Sequence, residues 1–150
     1  MVFHAKRDRF FIGFISITSL ILLLSFLLPI LFDPTLQLQD LMILAIVLFS
    51  VIGLLWWSTF SIQYTFLEDI LYIKGGPFRS KIPYHAITSV YATKNIWTGY
   101  RILSSKEAIE ILNSQTILGS IKISPEQQTI FLQELEKRAP QVQIQNELKI

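Results

Sequence analysis

The chain contains no cysteine and only two histidines, His4 and His85, among its 150 residues. The first absence excludes disulfides, thiolate nucleophiles, iron–sulfur clusters and cysteine-based zinc sites, and the second leaves no metal centre of two or three histidines to build. His4 falls in a basic N-terminal stretch and His85 in a strand or turn, where a structural role is the ordinary one. The sequence also lacks a Gly-x-Ser-x-Gly elbow and any histidine placed to activate a nucleophile. The Gly75-Gly76 pair lacks the Lys-Ser/Thr continuation of a phosphate-binding loop. No catalytic residue, cofactor site or metal site is therefore expected, and the chain reads as non-enzymatic. Basic residues are scattered and the net charge is +2, so nothing marks a nucleic-acid partner.

Charge is missing from one region in particular. Of the 24 charged side chains, 18 lie in residues 61–150, while the span from Phe10 to Phe60 is almost wholly apolar. A mean hydropathy of +0.48 is too high for an ordinary soluble domain, and this asymmetry locates the excess. Residues 10–32 form an uncharged run that covers about 35 Å as a helix, and residues 41–60 a second that covers about 30 Å. Each length spans a bilayer core. The first run is too long for a signal-peptide core and lacks a small-x-small cleavage site.

The flanks give an orientation. Lys6, Arg7 and Arg9 precede the first run, whereas the intervening loop, residues 33–40, carries Asp33 and Asp40 and no basic residue. Segment 1–9 is thus expected to be a basic cytoplasmic arm and 33–40 a short external loop, giving a multi-pass protein of the cell membrane with both termini in the cytoplasm. Trp56 and Trp57 fall at the depth of an interfacial aromatic belt. Neither run holds an ionisable residue of the kind that proton relays and ion paths use. Gly13 and Ser16 match Ser50 and Gly53 in depth and suggest a close helix crossing.

Beyond Ile62 the apolar period changes to two. Ile62, Tyr64 and Phe66 alternate with polar residues, Glu68-Asp69 interrupts, and Leu71 and Ile73 resume, which predicts a hairpin. Gly75-Gly76-Pro77 predicts a turn into a third strand over 79–82, and segments 86–92, 100–103, 107–112 and 117–123 complete seven strands. Ser124-Pro125-Glu126-Gln127 has the form of a helix start with a capping box; Phe131, Leu132, Leu135 and Ala139 form a helical stripe, and Pro140 ends it. The tail, residues 141–150, is expected to add an edge strand or fray.

Seven strands and a closing helix is the element order of a pleckstrin-homology (PH) fold, and the local residues agree. Tyr64-x-Phe66 and Leu71-x-Ile73 around an acidic turn, Gly76-Pro77-Phe78, Ile82-Pro83 with Ile87, and Ile123-Ser124-Pro125 resemble the bacterial PH-domain family of the membrane-anchored YyaB-like type. The resemblance covers residues 62–138; Glu107-Ala108 departs from it, standing where that family tends to an Asp-Arg pair. It implies a two-helix membrane hairpin followed, over 61–140, by a PH-like seven-stranded β-sandwich capped by a C-terminal helix.

The corresponding function is a membrane-anchored binding module at the cytoplasmic face, whose partners are the lipid bilayer and a protein or peptide. Phosphoinositide-binding PH domains place cations in the first hairpin turn, which here is Glu68-Asp69. Lys74, Phe78, Arg79 and Lys81, around the second turn, are the expected membrane or ligand contacts, since the strand leaving the membrane at Ile62 must return there. Two other classes compete: a bacteriocin immunity or envelope-stress protection protein, which a gene neighbourhood beside a toxin would favour, and a structural membrane subunit, which native size in detergent would reveal.

Because the chain has no native cysteine, topology is directly testable. Single cysteines at Thr35 and Lys149 should differ on intact cells, Thr35 reacting with an impermeant thiol reagent and Lys149 staying protected. The reverse pattern would overturn the orientation.

Overall fold

In the computed structural model, which describes residues 1–33, 35–116 and 118–145, the two apolar runs form α1 (Arg9–Phe32) and α2 (Leu38–Phe60). Both are long and apolar enough to cross a membrane. Asp8 opens α1 by accepting the Phe11 N–H at 2.9 Å. Three residues that the loop was expected to hold join α2, because the Asp40 carboxylate folds back onto the Gln37 N–H at 3.1 Å. The helices pack antiparallel through a stripe on α2 that includes Leu41, Ala45, Leu48, Ile52 and Leu55, at alternating spacings of four and three residues. Buried Ser19 of α1 accepts the Trp56 indole N–H at 3.1 Å. The expected crossing through Gly13 and Gly53 is not there. A Cβ on either would meet nothing within 4 Å, since both glycines lie off the contact stripe.

The remaining elements are β1 (Val2–His4), β2 (Gln63–Phe66), β3 (Ile70–Gly75), β4 (Phe78–Pro83), β5 (Ile87–Thr93), β6 (Arg101–Ile102), β7 (Ala108–Asn113), β8 (Ser120–Ile123), α3 (Gln128–Arg138) and β9 (Gln143–Ile144). The seven expected strands correspond to β2–β8, and two more join them. They do not make one seven-stranded sandwich or barrel: they form a four-stranded sheet, β1-β2-β3-β4, and a five-stranded sheet, β6-β8-β7-β5-β9, neither closed. β9 uses the first residues of the tail and lies parallel to β5. Residues 146–150 of that tail, and Ile117 at the expected start of the seventh strand, lie outside the described residues.

Alternation decides which side chains meet. Tyr64, Leu71, Ile73 and Ile82 from one sheet face Val90, Ile109, Ile111, Ile121 and Ile123 from the other, and all are at or near zero exposure. Phe131, Leu132, Leu135 and Ala139 of the closing helix are buried against them, as their spacing predicts. The capping box, however, does not form. Ser124 is fully buried, its hydroxyl accepting the Ser104 N–H at 3.0 Å and its own N–H donating to the Tyr64 hydroxyl at 3.1 Å. With Ser124 and Pro125 engaged in sheet-like contacts, α3 starts only at Gln128. Tyr64 completes the link by donating to the Ile102 carbonyl at 2.9 Å, and burial pushes its phenol pKa up, so the hydroxyl remains a neutral donor.

The basic segment 1–9 is no free arm. β1 pairs with β2, placing Val2 opposite Thr65 and His4 opposite Gln63. Phe3 enters the core with 4% exposure, its ring edge-on to Phe66 at 5.6 Å and to Phe131 at 5.4 Å. On its other side the same segment bonds the β8–α3 connection, Lys6 N–H to Ser124 O at 2.7 Å and Glu126 N–H to His4 O at 3.0 Å. Residues from before the first apolar helix therefore complete a domain that otherwise follows the second.

Truncating a buried phenylalanine to alanine costs about 3–5 kcal/mol, a large part of a small domain's stability. Phe3→Ala and Phe131→Ala should each lower the melting temperature of the full chain in detergent by many degrees, followed by near-UV circular dichroism. An unchanged Phe3→Ala melt would show that β1 is dispensable.

Candidate membrane-proximal binding face

The end of the domain nearest the apolar helices is built from three chain segments. The first is the turn between β3 and β4, Gly76-Pro77. Gly76 has φ +55°, as a two-residue hairpin turn requires at its first position, and a Cβ there would lie 2.6 Å from Ser58 Cα. A Cβ on Gly75 would lie 2.7 Å from the Ile102 side chain. The pair of glycines thus serves close approach as much as turning: it lets the hairpin sit on the last turn of α2. The Gly76 N–H donates to the Ser61 hydroxyl at 2.7 Å, and that hydroxyl donates to Trp57 O.

The four expected contact residues all lie on this hairpin. Lys74 and Arg79 are cross-strand partners on the second rung from the turn; Lys81 stands opposite Tyr72 on the outward face. Arg79 folds back, its guanidinium donating to the carbonyls of Gly76 and Phe78. Phe78 stands opposite Gly75 and, by alternation, on the other side of the strand from Arg79 and Lys81. It is 57% exposed, beside a cleft of 170 Å³ that Phe11, Thr59 and Leu103 also line. The hairpin therefore offers cations on one side and an exposed aromatic ring on the other.

The second segment is the loop from Lys94 to Tyr100, which sequence reasoning passed over. Lys122 on β8 is buried, and its ammonium donates to Asn95 O at 2.7 Å and Thr98 O at 3.0 Å. Arg101 donates to Trp97 O. These bonds hold the loop so that Trp97, 55% exposed, meets Phe10 and Phe14 edge-on at 6.0 and 5.7 Å, on the first two turns of α1. A large aromatic in a polar, glycine-containing gap between strands was the available signal.

The third is the junction between β1 and α1. Asp8 accepts from the N–H groups of Phe11 and Lys106, the latter at 2.7 Å. Lys6 pairs with Glu107 at 2.6 Å, while Lys106 sets its ammonium 3.6 Å from the centre of the Phe10 ring. Arg7 donates to Phe60 O at 3.1 Å and lies over the Phe60 ring, so the start of α1 and the end of α2 are tied side by side. Sequence reasoning passed over Asp8 as well, although an aspartate just ahead of an apolar run is the signal of an N-cap that could have found it.

This architecture, two apolar helices docked on a small two-sheet domain with a closing C-terminal helix, is that of a PH-like domain carried on a helical hairpin. Residues 62–139 match the bacterial PH domain family, and the chain belongs to it. Over 86 residues it is 35% identical to the uncharacterized protein YyaB of Bacillus subtilis, an alignment covering 57% of this chain and 58% of that protein. The chain thus spans less than two thirds of that relative. No solved structure matches.

Asp8 carries a pH dependence. Burial alone would raise its pKa, but the N–H groups of Lys106 and Phe11, the Ser105 hydroxyl and the Lys106 charge outweigh it and hold the carboxyl below its ordinary value. A depressed folded-state pKa contributes stability that is present above the unfolded value, about 3.9, and lost as pH falls through the folded one. The full chain should therefore melt above Asp8→Asn at neutral pH, and the gap should narrow below about pH 4. A gap constant from neutral to strongly acid pH would show that it does not come from ionisation of the Asp8 carboxyl.

Proposed function

We propose that the protein is a membrane-anchored module that works by binding rather than catalysis. On this reading α1 and α2 cross the bilayer and return the chain to the cytoplasm, where the domain lies against the inner leaflet. The β3–β4 hairpin, with Lys74, Phe78, Arg79 and Lys81, meets the headgroups, and the opposite end of the domain is left for a protein or peptide partner.

The observation that carries this reading is the seat of Gly76 on Ser58, within the last turn of α2. If α2 ends at the leaflet surface, the hairpin turn is already at headgroup depth. A cation near an anionic leaflet gains about 1 kcal/mol, and an aromatic ring suits the interface. The first hairpin turn, Glu68-Asp69, is one strand-length away from α2, where an acidic pair is not repelled by anionic lipid.

Phe78→Cys, labelled with a nitroxide and placed in nanodiscs, tests the contact. The label should collide more with oxygen than with a polar nickel chelate, more so in anionic than in zwitterionic lipid. Alanine at Lys74, Arg79 and Lys81 together should abolish that lipid dependence. A label equally open to the nickel reagent in both lipids would sink the reading.

A further inference from the structure

We propose that the groove between the Trp97 loop and the start of β7 holds the headgroup of one anionic phospholipid, an inference that rests on the membrane placement above but uses a different surface. The groove encloses 820 Å³ beside α1, with Ala92, Ile96, Trp97 and Ala108 as apolar lining and Lys94 and Lys106 as its cations. Lys94 is exposed, and its ammonium has no partner among the described residues. The Lys106 ammonium lies over the Phe10 ring, within electrostatic reach of the Asp8 carboxylate, and makes no hydrogen bond among the described residues, so its N–H donors are left for a phosphate oxygen.

The acids nearby are already committed. Glu107, which also lines the groove, holds Lys6 at 2.6 Å, and Asp8 is taken up by the N–H groups of Phe11 and Lys106 and by the Ser105 hydroxyl. Lys94 is thus left without an internal counter-ion among the described residues, while Lys106 meets Asp8 only through space and not through a salt bridge. The Trp97 indole N–H has no acceptor among the described residues either, and it is donor-only, matched to a phosphate or glycerol-ester oxygen.

Position selects a lipid over a soluble anion. Trp97, one wall of the groove, lies edge-on to Phe10 and Phe14, so that wall stands against the first two turns of an apolar helix. A phosphate held by the two lysines would let its acyl chains descend along the exposed α1 side chains Phe14 and Ile17. The walls are preorganised, because buried Lys122 pins the loop through Asn95 O and Thr98 O. A fixed cavity with two ammonium groups binds one headgroup, whereas the β3–β4 hairpin offers only a diffuse charged edge.

Native mass spectrometry of the full chain, released from detergent with equal phosphatidylglycerol and phosphatidylcholine, reads the site directly. One phosphatidylglycerol should stay bound, at least tenfold in preference, and Lys94→Gln with Lys106→Gln should remove that preference. Lys94→Gln alone breaks no contact among the described residues and should weaken retention without changing the melt. The Lys74, Arg79 and Lys81 alanine variant should retain the lipid. No preference in the parent, retention by the double variant, or full displacement by millimolar glycerol phosphate would each overturn the proposal. Loss of preference while the Phe78 label still reports headgroup contact would overturn this site and leave the membrane placement standing.

Discussion

Everything in this molecule depends on a short strand being in the right place. β1 lies before both apolar helices and its partner β2 lies after them, so their pairing closes a loop of chain that contains the whole helical hairpin. That closure requires the start of α1 and the end of α2 to be on the same side. Backbone bonds reinforce it on both flanks: Phe66 N–H to Met1 O at 2.9 Å and Ala5 N–H to Ile62 O on one, Lys6 N–H to Ser124 O on the other. The largest single contribution is the Phe3 ring, because burying an aromatic outweighs any one exposed ion pair. Lys6–Glu107, with side-chain exposures of 38% and 73%, adds little by comparison.

The same closure fixes the domain against its helices. A chain that merely followed α2 could pivot at Ser61, but here it is held from two directions. On the α2 side the β3–β4 turn nests on Ser58; on the α1 side Asp8 receives the Lys106 N–H and Trp97 packs on Phe10 and Phe14. Two separated attachments remove rotation about either one. The surfaces at that end therefore keep a constant position relative to the helix ends, which a flexible tether could not supply.

Much of this was legible in the sequence. The two helices announce themselves by length and lack of charge, β2 to β4 by alternation, and α3 by Phe131, Leu132 and Leu135. What escaped did so for identifiable physical reasons. β1 has a single inward residue, Phe3, between outward-facing Val2 and His4, and one inward residue sets no period. Ser124 and Pro125 carry every local mark of a helix start, yet a buried serine whose hydroxyl accepts the Ser104 N–H and whose own N–H donates to the Tyr64 hydroxyl is held more firmly than a cap, so tertiary contacts overrode the local preference. Gly13 and Gly53 matched in depth but not in azimuth, and depth is all that counting along a sequence supplies. The Trp97 loop was missed because Lys122, which fixes it through two carbonyls, comes from a strand that only the fold brings beside it.

That last case bears on how such a face can be found at all. A lysine in the middle of a strand, as in Ser120–Ile123, ordinarily alternates to the solvent side. Lys122 is instead 4% exposed, and a buried ammonium needs compensation from oxygen atoms. Two of those are backbone carbonyls of the 94–100 loop, and Glu110 stands 4.0 Å away as the nearest counter-charge. The cation is thus spent on shaping a loop rather than on meeting a ligand. Lys94 and Lys106, exposed beside the same loop, are the charges that shaping leaves available. The division explains why a scattered set of basic residues, unremarkable as a pattern, is sorted by the fold: Lys122 is a structural fastener, while Lys94 and Lys106 are left on the surface beside the loop that it holds.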